Sequence, residues 1–160
     1  CHTMCYHLFI QYQEMYVMDP DKMSPTQYFV QKIIEGYPVE PLAEIPLGPS
    51  LSDLLNTALG QRDISVAAAA ELSGINRTSL YKIMDGMVQP QRNTLLRLAL
   101  TLEMDFEQCQ QLLKAGSAAQ LTSSRLRDRI IMVGLLNREP LDEISRTLDE
   151  QGFINLYAKV

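Results

Sequence analysis

The chain has 160 residues, 46% of them hydrophobic and 21% charged, with a formal net charge of −5, a length that suits one domain with appendages. No apolar run approaches the roughly 20 residues of a membrane span, and the start, CHTMCYHLFI, lacks the basic region of a secretory signal, so a cytoplasmic protein is expected. Residues 8–160 contain no histidine, which removes the commonest general acid/base; no Ser/His/Asp or Cys/His set can be assembled there, and neither enzymatic activity nor a cofactor is expected.

The three cysteines, Cys1, Cys5 and Cys109, are an odd count and no disulfide framework. Cys109 falls in a helical pattern and reads as a small buried hydrophobe. Cys1, His2, Cys5 and His7 are all possible zinc ligands, but their spacing matches no finger, and a leader segment without metal is the expectation. Residues 1–25 read as irregular; Met18 opens MDPDKMSP, so the natural start could lie there. The negative charge is concentrated in residues 1–51, with 2 lysines against 6 carboxylates. Residues 52–116 hold 6 basic and 7 acidic side chains, and residues 117–160 hold 6 of each.

From Thr26 to Glu35 the apolar residues Tyr28, Phe29, Ile33 and Ile34 predict a short amphipathic helix, stopped by Gly36. Pro38, Pro41, Pro46 and Pro49 make residues 36–50 an extended arm, and residues 1–50 form an N-terminal arm and linker. A helix over Leu51–Ala58 follows, with Ser52 as cap, Leu51, Leu54, Leu55 and Leu59 facing inward, and Gly60 closing it. Ser65 is the next candidate cap, its hydroxyl accepting from an amide of the first turn. The run Val66–Ala70 is a strong helix former, and Ala70 leaves room for a close helix crossing. Gly74 allows a sharp turn at φ > 0, Ile75 fills the space beneath it, and Asn76 caps a further helix, Arg77 to Asp85, whose buried side is Leu80 and Ile83. Met87–Gln91 is a loop containing Pro90. Helices over Arg92–Leu102 and Phe106–Ala115 complete an all-α unit of five helices, residues 51–116.

The remainder, residues 117–160, reads as a C-terminal helical extension. Ser123 or Ser124 would cap RLRDRIIMVGLLN, with Leu126, Ile130, Ile131, Leu135 and Leu136 on its apolar side. Pro140 would open a last helix with Leu141, Ile144 and Leu148 inward and Gly152 as its stop. Phe153, Ile154 and Leu156 should dock onto something.

A cap residue, alanine, glycine, apolar turn residue and G-x-x-x-P loop stand at Ser65, Ala70, Gly74, Ile75 and Gly86–Pro90, followed by Thr94–Leu95. In this pattern residues 52–116 resemble the repressor/Cro-like (XRE-type) helix-turn-helix domain of bacterial regulators, and the tail is similar to the helical extensions of small members of that class. The resemblance implies a recognition helix, Arg77–Asp85, in the major groove of double-stranded DNA. Arg77 would read a guanine edge, and Asn76, Thr78, Ser79 and Tyr81 would reach bases or phosphates. Lys82 and Arg92 would meet phosphates, and Ser65 with the amides after it would hold another.

Affinity for nucleic acid is largely phosphate neutralisation, so a near-neutral domain must gather its cations on one face or act as a homodimer. Val66 stands where the family often carries a glutamine that can bond DNA, and Met87 and Val88 stand where it often carries basic residues. Met84, Met87 and Val88 could instead form an apolar patch, leaving a protein-binding module of the same fold, antitoxin-like or adaptor-like, as the alternative. For dimerisation the C-terminal helices are the expected surface, against the alternative that they pack back on the domain.

Overall fold

A computed structural model describes residues 25–36 and 48–159; the terminal cysteines and histidines, the proposed start and most of the proline-rich arm lie outside the described residues. The chain divides into two units, Cys1–Gly48 and Pro49–Val160. In the first, α1 spans Pro25–Ile34, one residue earlier than the periodicity predicts. Lys32 bridges Glu35 at 2.9 Å, and Gly36 follows at φ +83°.

The second unit contains α2 (Leu51–Arg62), α3 (Val66–Ser73), α4 (Arg77–Met84), α5 (Arg92–Thr101), α6 (Phe106–Ala115), α7 (Leu126–Leu136) and α8 (Leu141–Glu150). The described residues are thus all-helical, as expected, and none of their helices is long and apolar enough to cross a membrane.

The helix ends correct several expectations. Ser50, not Ser52, caps α2: Asp53 N donates to Ser50 Oγ at 3.1 Å and Ser50 N donates to Asp53 Oδ2 at 3.2 Å, a reciprocal box that satisfies two otherwise orphaned donors. Gly60 does not end the helix, which runs two residues further and closes on Asp63 in the left-handed region. Neither Ser123 nor Ser124 caps α7; its N-cap is Arg125, with no side-chain capping bond. The local order there comes from the Asp128 carboxylate, which accepts from Thr122 N at 3.1 Å.

One apolar cluster runs through the second unit. It joins Leu55, Leu80, Leu95 and Leu112 of the first five helices to Leu121, Ile131, Ile144, Leu148 and Leu156 of the following segment. The C-terminal helices therefore pack back: α7 lies on α6 and α8, and α8 also touches α5. At about 1.5–3 kcal/mol for each fully buried Leu or Ile, the helices after Gly116 are a structural part of this body.

The helices approach closely where glycine permits. A Cβ at Gly134 of α7 would stand 2.4 Å from Ile144 Cγ1 on α8, so only glycine allows that crossing. The buried side of α7 is Asp128, Ile131, Gly134 and Leu135. Leu126 and Leu136, expected inward, are 63% and 66% exposed; the helix is apolar on both sides, and its packing partners take only one of them. Cys109 is buried, as its pattern predicts.

Candidate nucleic-acid interface

The segment Ser65–Gly86 folds as two eight-residue helices joined at a tight turn. Ser65 caps α3, its side chain accepting from Ala68 N at 3.1 Å. Gly74 ends α3 at φ +67°, a conformation costing other residues roughly 1 kcal/mol or more. Ile75 N then reaches back to Ala70 O at 3.0 Å. Ala69, Ala70 and Ile75 are buried, with α3 packed against both α4 and α5; small side chains let the helices approach. Asn76 starts α4, its side-chain oxygen accepting from Thr78 N at 2.9 Å and Ser79 N at 3.3 Å.

The sequence places Leu80, Ile83 and Met84 on one side of α4, and all three are buried. Asn76, Arg77, Thr78, Ser79, Tyr81 and Lys82 are exposed, and so is Ser65 at the start of α3. The helix ends at Met84, with Asp85 as its C-cap, one residue short of the expected range. Exposed Glu71 and Asp85 flank the two cations Arg77 and Lys82 in sequence.

Two expectations for this neighbourhood change. Met84 is 8% exposed and belongs to the core, so the apolar surface beyond α4 consists of Met87 at 71% and Val88 at 48% exposure. It borders an open groove of about 460 Å³ whose lining includes Leu51, Ile83, Met84, Val88 and Pro90. Arg92 is not gathered with the α4 residues. Its Nη1 and Nη2 each donate at 2.9 Å to the carboxylate oxygens of Asp128, and its Nε donates to Ala119 O at 2.7 Å. With Asp128 1% exposed, this fork is an internal tie between α5 and α7, which leaves the guanidinium engaged before any phosphate arrives.

Sequence reasoning also missed a polar network behind the turn. Arg97 of α5 donates from Nη1 to Ser73 O and Gly74 O, both at 3.3 Å, satisfying carbonyls that the end of α3 leaves open. Its guanidinium stands 5.4 Å from the Tyr157 ring centre, within cation–π range, and burial lowers its pKa from the ordinary value. Tyr157 OH donates to Asp142 Oδ1 at 2.5 Å; burial, then the Asp142 hydrogen bond, raises the phenol to about 12. Arg127 donates to Ile154 O at 2.9 Å and to Asn93 Oδ1 at 2.8 Å, while Asn93 Nδ2 reaches Ala158 O at 3.2 Å. The C-terminal segment is thereby fastened to the back of the α3–α4 turn. Arginines and asparagines scattered in sequence carry this network, and only the polar position of Arg97 within the apolar pattern of α5 hinted at it.

Among the described residues, no group of three or more His, Cys, Asp or Glu side chains converges as a metal site. The arrangement can offer a short, exposed polar helix on a buried apolar support. No known protein family, curated protein or solved structure matches the chain.

Proposed function

We propose that the chain is a sequence-specific DNA-binding regulator, bacterial and cytoplasmic, built on a five-helix repressor/Cro-like (XRE-type) helix-turn-helix and acting as a homodimer. The supporting observation is the division of α4 into two sides: Leu80, Ile83 and Met84 are buried while Arg77, Thr78, Tyr81 and Lys82 are exposed. A helix held only by one side is free to enter a major groove. In this reading Arg77, near the helix start, addresses a base edge, Thr78 and Ser79 reach a base edge or phosphate, and Lys82 meets a phosphate. Asn76 and Ser65 fix the helix starts and present amides to the backbone.

The test is binding of the full chain to the DNA upstream of its own gene across a salt series. Neutralising a few phosphates makes log affinity fall with log salt, by about 0.9 per contact. A steep fall, with unlabelled random duplex competing poorly, supports the regulator; no complex even at low salt overturns it.

Met87 and Val88 favour a second reading, a protein-binding module of the same fold. Both are exposed beside the groove lined by Leu51 and Pro90. Loss of a co-purifying protein in Met87→Ser with Val88→Ser, with DNA binding absent in the parent chain, would favour that module.

A further inference from the structure

Helix α3 ends without a cation of its own. Its last turn holds no basic residue, although a helix C-terminus favours positive charge beside its open carbonyls. Arg97 of α5 supplies that charge, since its Nη1 reaches Ser73 O and Gly74 O at 3.3 Å each. Those carbonyls belong to the turn from which α4 departs, just before the Asn76 cap. Helix α4 itself packs on α2 and α3, so whatever fixes this turn bears on the direction of α4.

Little else holds the guanidinium in place. Among the described residues no carboxylate bridges Arg97, and its buried Nε has no hydrogen-bond partner. The Tyr157 ring stands 5.4 Å from it, a distance at which a cation is drawn to an aromatic face. That ring is itself well anchored. Its hydroxyl is bonded to Asp142 of α8, its backbone amide donates to Asn155 Oδ1 at 2.9 Å, and the preceding Leu156 is completely buried. Ring and guanidinium both close on the turn: a Cβ at Gly74 would stand 3.2 Å from Tyr157 Cε1 and 3.8 Å from Arg97 Nη1. Gly74 thus serves twice, for its positive φ and for the room it leaves this ring.

We propose that Tyr157 is a positioning residue for α4: lying against Gly74 and Arg97, it holds the guanidinium on the carbonyls that end α3 and so fixes the angle at which the turn presents α4. The contacts run from Asp142 through the Tyr157 ring and Arg97 to the turn, so a segment remote in sequence sets the pose of the exposed side of α4. Tyr157 is 40% exposed, and Leu156 rather than Tyr157 is the core anchor of this segment. The ring can therefore be removed without unfolding the body. The inference deepens the DNA reading above and rests on it for the consequence at a duplex, but not for the effect on the turn.

The experiment is amide hydrogen exchange followed by NMR in the full chain without DNA. The amide of Ile75, bonded to Ala70 O, reports the turn, and those of Leu102 and Cys109, bonded to Leu98 O and Asp105 O, report the body. Tyr157→Ala should speed exchange at Ile75 by about tenfold or more while Leu102 and Cys109 stay within about twofold of native, as local opening requires. Tyr157→Phe and Asp142→Ala, which remove the same hydrogen bond and keep the ring, should fall between native and Tyr157→Ala. Arg97→Met should reproduce Tyr157→Ala, and combining the two should add nothing further, because both act through one contact. On a duplex selected by the native chain, Tyr157→Ala should lose about tenfold in affinity and Tyr157→Phe less. Unchanged exchange at Ile75, equal acceleration at all three amides, or additive effects of Tyr157→Ala and Arg97→Met overturn the positioning role. Faster exchange at Ile75 with undiminished duplex affinity also overturns it, because the turn then loosens without moving α4. A native chain that binds no duplex sinks the DNA reading alone, and the exchange rates then decide the role of Tyr157.

Discussion

Arg92 and Asp128 form a two-pronged pair, each guanidinium nitrogen 2.9 Å from a carboxylate oxygen, between the first residue of α5 and the buried side of α7. The side chain of Arg92 is 20% exposed and that of Asp128 only 1%, so the pair is shielded from solvent and salt. Its geometry makes Arg92 a structural residue.

Arg92→Ala should therefore act on stability. Removing one partner of a buried pair leaves an uncompensated charge and is destabilising by about 3–5 kcal/mol. Urea titration should show a large fall in midpoint, while Asp128→Asn in the Arg92→Ala background recovers part of the loss. An Arg92→Ala chain as stable as the native one would contradict this assignment.

Glycine substitutions should have opposite signs at two helical positions. Ala is favoured over Gly inside a helix by about 0.8–1.0 kcal/mol, and nothing lies within 4 Å of a Cβ at Gly60, so Gly60→Ala should raise the melting temperature. At Gly134 the added Cβ meets Ile144 Cγ1 at 2.4 Å, and overpacking of this kind costs about 1–3 kcal/mol. The same substitution there should lower the melting temperature, and Ile144→Val should relieve part of the effect.

The Cys109 thiol should be chemically silent in the folded chain. Burial is the leading cause that raises its pKa from the ordinary 9.0 to about 12, and the thiolate is the reactive form. Alkylation mapped by mass spectrometry should modify Cys109 only after denaturant is added. The folded chain holds this proton more tightly than the unfolded one, so the stabilisation is complete below pH 9. It declines as pH rises from about 9 toward 12, and Tyr157, raised from the ordinary 10.0 to about 12, adds to the loss from about pH 10 upward. Rapid native alkylation of Cys109 would contradict the burial argument.

Those residues also mark how far the sequence could be read. The helices from α3 to α6 were legible because caps, glycine stops and apolar periodicity agree there: Ser65, Gly74 and Asn76 sit where local hydrogen bonding requires them. The exposed residues of α4 were legible for the same reason, since burying Leu80 and Ile83 turns Arg77, Thr78, Tyr81 and Lys82 outward. Arg92 was not, because its partner Asp128 lies 36 residues away and a lone arginine at a helix start gives no sign of such a partner. The exposed side of α7 was misread because periodicity shows that a helix is apolar without showing which neighbours exist to cover it. Arg97 and Tyr157, which fasten the α3–α4 turn from behind, meet only after the C-terminal segment has folded back.

We propose that α4 reads DNA through Arg77. The most direct measurement selects a preferred duplex from a random pool with the native chain, then compares its affinity for native protein and Arg77→Ala. Arg77 is exposed, so its removal should leave the thermal melt unchanged. Losing a bidentate base contact should weaken binding by about 1–3 kcal/mol, roughly fivefold to over a hundredfold, and relax preference at one base pair. Unchanged affinity and unchanged preference in a folded Arg77→Ala chain would contradict the account.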